Sequence, residues 1–199
     1  MRDRPPRERL PRRVGPREGS VTVFVADERG EPPAPDQPSI DAARWIALAE
    51  QVLAAEGVRG DAELSLLFVD EEAMARLNEQ FMGATGPTDV LAFPIDGEQI
   101  EPGRWPDGGT EGPERIPPSA DELPLLLGDV VICPAVAARN APEHAGSFED
   151  ELALLLVHGV LHLLGHDHAT DEERAAMQAR ERALLTQFYG PLGGDPWGR

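Results

Sequence analysis

Residues 147–168 read Ser147-Phe148-Glu149-Asp150-Glu151-Leu152-Ala153-Leu154-Leu155-Leu156-Val157-His158-Gly159-Val160-Leu161-His162-Leu163-Leu164-Gly165-His166-Asp167-His168. Ser-x-x-Asp ahead of an apolar run is a helix-start signature, in which the hydroxyl and the carboxylate cap each other's backbone N–H groups. Gly165 marks the stop, because glycine adopts the left-handed conformation at little cost. Between these marks the sequence predicts a helix of roughly four to five turns, rich in Leu and Ala. His158 and His162 are four residues apart and share one face of it, about one turn from each other. His168 follows the glycine by three residues, so a turn there brings a third imidazole back toward the same point.

Four of the five histidines fall in this window. Imidazole is the commonest protein ligand for zinc and related metals. A single histidine in a Leu-rich helix is ordinarily a hydrogen-bonded core residue, but His158, His162 and His168 at this spacing read as one ligand set. Three protein ligands are expected of a catalytic zinc, whereas structural zinc takes four, mostly cysteines. The chain has one cysteine, Cys133, which excludes a closed cysteine-rich site. A fourth position would hold water, whose pKa on zinc can fall to about 7. His166, on the turn, is expected to face solvent. Asp167 is expected to accept a hydrogen bond from a ligand imidazole; a turn-forming aspartate is the simpler alternative.

The frame His-x3-His-x2-Gly-x2-His also belongs to metzincin proteases. Those enzymes carry Glu directly after the first histidine as general base. This chain has Gly159, so a peptidase is not expected. Glycine there would leave access for a bulky substrate.

His-Gly-x-Leu-His-Leu-x-Gly-x-Asp-His resembles the signature of the YbeY family of bacterial endoribonucleases. Pro87-Thr88-Asp89-Val90-Leu91-Ala92-Phe93-Pro94 and Leu127-Gly128-Asp129-Val130-Val131-Ile132-Cys133 are similar to two strands of that family, in the same order. With Leu77-Asn78 the resemblance covers roughly residues 20 to 190. It implies one zinc ion per chain at the positions matching His158, His162 and His168, and metal-dependent cleavage of single-stranded RNA in 16S ribosomal RNA 3′-end maturation and ribosome quality control. It also implies a cytoplasmic protein that meets the 16S rRNA precursor and the small ribosomal subunit, with ribosomal proteins or GTPase assembly factors as further partners. Three departures stand out. Phe81-Met82-Gly83 replaces a Tyr-Arg-Gly segment whose Arg suits a phosphate contact. His166 replaces a Tyr, and Ala92 a Ser.

The expected chemistry is attack on a phosphodiester by metal-activated water or by the ribose 2′-OH with metal assistance. Asp89, Asp129 and Asp167 are candidates for a general base, but carboxylates at strand ends and turns are commonly structural, and none is assigned. The alternative is a ribosome-assembly factor, weakly catalytic or non-catalytic, whose zinc mainly holds the fold. Met82 and the acidic body favour that alternative; an open three-ligand site opposes it.

The chain of 199 residues is long enough for one domain with a real core. One cysteine fits a reducing cytoplasm, and Cys133 is expected to be a small buried strand residue. No apolar run reaches the roughly 20 residues of a membrane span, and the N-terminal segment lacks a signal-peptide h-region. All 18 basic residues are arginines, and the formal net charge is −18. Acidic surface repels phosphate, so RNA requires a local positive site. Arg139 and Arg76 are candidates to face such a cleft. Seven arginines crowd residues 1–17, which suits either an RNA tether or a tail without a set role.

Along the chain, residues 1–19 read as a disordered Arg/Pro-rich extension, 20–190 as the metal-dependent domain and 191–199 as a C-terminal tail. Strands are expected at 21–25, 64–69, 88–94 and 125–132, the last nearly unbroken in apolar residues and so central. Helices are expected from a Ser39 cap to about Ala55, over 71–80, from Pro134 to about Asn140, at the histidines, and from a Thr170 cap to about Phe188. Residues 96–124, dense in Pro, Gly and acid, read as a mobile insert. The fold class is α+β: about four strands in one mixed sheet with about five helices.

Overall fold

The computed structural model describes residues 20–30, 38–95 and 124–198. The Arg/Pro-rich extension and the acidic insert expected from the sequence lie outside the described residues.

Among the described residues four strands form one mixed sheet: β1 (Val21–Asp27), β2 (Ala62–Phe68), β3 (Val90–Pro94) and β4 (Leu125–Ile132), in spatial order β1-β2-β4-β3. β1, β2 and β4 are parallel, and β3 closes the edge antiparallel to β4. β4 is therefore an interior strand, as its apolar run predicts. Five α-helices accompany the sheet among the described residues: α1 (Ala42–Ala55), α2 (Glu71–Leu77), α3 (Pro134–Asn140), α4 (Phe148–Leu163) and α5 (Asp171–Phe188). The α+β class and the mixed four-stranded sheet are as expected.

Alternation along the strands separates two apolar layers. Leu64, Leu66, Phe68, Val130 and Ile132 pack with α1, α4 and α5. Leu67, Leu91, Phe93 and Val131 turn the other way and meet Met74 of α2. α4 carries the larger core, burying a nearly continuous run from Glu151 to Leu163.

α1 starts at Ala42 rather than from Ser39. Asp41 is the cap, its side chain accepting from the Arg44 N–H. Both residue types cap well; the buried face of Trp45, Leu48, Ala49, Val52 and Leu53 sets the boundary. α2 is also shorter than expected. After Leu77 the chain widens into one π-turn, Asn78–Met82, ended by Gly83 at φ +67°. The buried Asn78 side chain donates to the Gly86 carbonyl and ties this turn to the loop before β3.

Between β2 and β4 the register slips by one residue at Glu63/Leu64, so Leu127 bulges and Gly128 follows at φ +129°. A Cβ on Gly128 would lie 2.1 Å from the Phe93 carbonyl oxygen. Only glycine fits there, and the bulge lies beside Leu163 at the end of the histidine helix.

Candidate metal centre

The histidine helix is fixed at both ends. Ser147 Oγ accepts from the Asp150 N–H and the Asp150 carboxylate accepts from the Ser147 N–H, which completes the capping box. At the other end Gly165 N–H donates to the His162 carbonyl and His166 N–H to the Leu161 carbonyl, with Gly165 at φ +88°. These two bonds make a Schellman stop. The chain reverses there and carries His168 back over the last turn of α4.

The three imidazoles meet. Their ligating nitrogens all lie within 4.8 Å of one another. Ring centroids are 4.6 Å apart for His158 and His162, 5.0 Å for His162 and His168, and 5.6 Å for His158 and His168. His158 Nε2 and His162 Nε2 are 3.1 Å apart. Two zinc–nitrogen bonds of about 2.0–2.1 Å at a tetrahedral angle would set such atoms roughly 3.4 Å apart, so the donor set fits that ion within a few tenths of an ångström. Burial, followed by the charges that His158 and His168 can carry, holds His162 below its ordinary pKa. The neutral ring is the form that ligates.

Glu181 of α5 orients the first ring. His158 Nδ1 lies 2.7 Å from Glu181 Oε1, and the Trp197 indole N–H donates to Glu181 Oε2 at 2.8 Å. Glu181 is only 4% exposed. With Nδ1 as donor to the carboxylate, the Nε2 lone pair of His158 faces the other two histidines. Asp167 does not take this part: its carboxylate accepts from the His168 backbone N–H. The supporting carboxylate comes from a separate helix. Its signal was its place on the α5 stripe Met177, Glu181, Leu184, Leu185, where a lone acid occupies an otherwise apolar face.

His166 is not part of the cluster. Its Nε2 lies 3.6 Å from Glu56 at the end of α1. Gly159 lines the cleft on the β3 side of the histidines, and it also has a packing role. It is buried, and a Cβ there would meet Val130 Cγ1 at 2.6 Å. The glycine lets α4 settle onto β4; the position that bears the base in metzincins is packed against the sheet.

Of the candidate carboxylates, Asp89 accepts from the Val90 N–H and the Asn140 side chain and joins β3 to α3. Asp129 opens into a cleft with Val131 and Phe93, on the α2 side of the sheet. Arg139 pairs with Glu71 at 2.6 Å and Arg76 with Glu72 at 2.7 Å. Neither lines a cleft that touches the histidines. Among the described residues, clefts on two sides touch them. One, of about 360 Å³, lies toward β3 and is lipped by Met82, Ala92 and Pro94. The other lies toward α5.

The model of the family described as Endoribonuclease YbeY matches residues 34–189. A curated Endoribonuclease YbeY from Acidothermus cellulolyticus is 46% identical over 169 residues, spanning 84% of this chain and 92% of that protein. One from Thermobifida fusca is 42% identical over 172 residues, 86% of this chain and 97% of that protein. This chain belongs to the YbeY endoribonuclease family. The solution structure of TM1509 from Thermotoga maritima has the same fold, with a TM-score of 0.50 at 24% identity over 85% of this chain and 90% of that one. Among the described residues no helix is long and apolar enough to cross a membrane.

Proposed function

We propose that this YbeY-family endoribonuclease is a zinc enzyme cutting single-stranded RNA in 16S ribosomal RNA 3′-end maturation and ribosome quality control. One observation carries the reading: three imidazoles from α4 and the turn after it converge, with clefts on two sides. His158, His162 and His168 would hold the ion. Bound there, zinc supplies a Lewis acid for the phosphoryl group and acidifies the nucleophile, whether water or the ribose 2′-OH.

The chain's own groups do the rest. Glu181 fixes the tautomer and direction of His158, itself steadied by Trp197. The Schellman stop places His168. Met82, 55% exposed, forms an apolar lip and brings no charge to the phosphate. The predicted partners are the 16S precursor and the small subunit, in the cytoplasm, with ribosomal proteins or GTPase assembly factors around them.

Metal analysis with a cleavage assay tests the reading. One zinc per chain is expected, with cutting of single-stranded RNA by wild type and none by His162→Ala at unchanged circular dichroism. Equal cutting by both would point to a contaminating nuclease and end it. Met82, where the family often has an arginine, favours a second reading: an assembly factor with a zinc site and little or no cleavage. Zinc-loaded protein that sediments with small subunits but leaves RNA intact would establish that one instead.

A further inference from the structure

We propose that the cleft between α4 and α5 is a binding subsite for the RNA strand next to the reacting phosphate, with Arg174 as its phosphate-gripping residue. The inference rests on the nuclease reading above and specifies where the substrate lies. A strand cut at the histidines must continue on both sides of them. His158 and His168 line both clefts, so the two join at the centre. Among the described residues, the β3-side cleft is lined by apolar residues and the histidines, without a cationic side chain. The α5-side cleft contains Arg174 and Gln178, one turn apart on α5, with Glu181 a turn beyond and Asp89 at the β3 side.

This cleft also has length. Its far end is marked by His144, whose Nδ1 is held at 2.8 Å by the fully buried Glu151. Glu151 precedes His158 by seven residues of α4, about 10 Å along the helix axis. That leaves room for chain beyond the phosphate under attack. The Arg174 guanidinium pairs with Asp171 at 3.1 Å, with the two side chains 53% and 91% exposed. A pair so exposed contributes little, so the guanidinium can exchange it for a phosphate, which it meets in bidentate fashion. On a body of net charge −18, an arginine beside the centre also counters repulsion of the strand.

Fluorescence anisotropy of a short labelled single-stranded oligoribonucleotide tests this, using zinc-loaded full-length protein at several salt concentrations. Arg174→Ala is expected to weaken binding about tenfold and to flatten the slope of log affinity against log salt by about 0.7, the value for one phosphate on a single strand. Arg174→Lys should restore the slope but not all of the affinity, because lysine keeps the charge and loses the fork. Arg76→Ala, on the other sheet face, should match wild type. An Arg174→Ala protein with wild-type affinity and slope, or a wild type that does not bind the strand, overturns the subsite. Cutting is followed in parallel. Its absence from wild type would sink the nuclease reading alone, since the binding comparison stands by itself.

Discussion

Glu181 Oε1 and His158 Nδ1 lie 2.7 Å apart, across 23 residues of chain. A carboxylate at this distance fixes the tautomer and the direction of the ring. Glu181→Gln keeps the shape and loses the charge. Zinc affinity is expected to fall about 10- to 100-fold, measured by competition with a chromogenic chelator, with the thermal midpoint of the metal-free protein nearly unchanged. Trp197→Phe removes the donor on the other oxygen and should give a smaller loss in the same direction. Unaltered affinity in Glu181→Gln would remove this carboxylate from the centre.

Gly159→Ala drives a methyl into Val130, 2.6 Å from where the Cβ would stand. Overpacking of this kind costs about 1–3 kcal/mol. Urea denaturation should show a lower midpoint at constant slope, and zinc affinity should fall with it because His158 moves with the helix. Adding Val130→Ala should return part of both. Additive losses in the double variant would mean that the two residues do not meet.

Asp150 and Tyr189 set opposite limits on the pH range of stability. Burial alone would raise the Asp150 carboxyl, but hydrogen bonds from Tyr189 and Ser147 and from the Gly193 N–H outweigh it and hold it below the usual aspartate value. Its contribution is present above that usual value and is lost as pH falls through the depressed one. Burial, and then the bond to Asp150, push the Tyr189 phenol well up. Its contribution is complete below the ordinary tyrosine pKa of about 10 and is lost as pH rises beyond it. Asp150→Asn should lower stability at pH 7 and flatten the loss between pH 5 and 2, as followed by circular dichroism. Parallel acid curves for variant and wild type would refute the assignment.

Cys133 is fully buried at the start of α3, and burial pushes its thiol pKa up. The thiolate is the reactive form. A thiol reagent at pH 8 should therefore label the native protein slowly and the urea-unfolded protein at the rate of a free cysteine. Fast labelling under native conditions would show that the β4–α3 junction opens readily.

Legibility in the sequence followed the range of each interaction. The histidine helix was readable from end to end, since Ser147, Asp150 and Gly165 act on backbone within a few residues. Thr170 and Glu173 announced α5 in the same way. The continuous apolar run of β4 reflected burial on both faces of an interior strand. Less was legible where partners are distant. Glu181 stands out on the apolar stripe of α5, but only the tertiary fold brings His158 and Trp197 to it. Val130 is 29 residues from Gly159, so the packing role of this glycine was not legible. Local rules also misled, at the Ser39 cap and again at Asp167, which is adjacent to His168 and was given the support of a ligand ring, but whose carboxylate folds onto its own neighbour's backbone. The π-turn at Asn78–Met82 left no periodic trace.

The Trp197–Glu181 bond also bears on how the protein is made. The three imidazoles are complete at residue 168 and the carboxylate that holds His158 at 181, but the second hydrogen bond to that carboxylate comes only from residue 197. A molecule clipped a few residues short of that indole would still display all three imidazoles and would hold its ion more weakly. On the zinc reading, proteolysis that removes this indole would therefore yield material depleted in zinc.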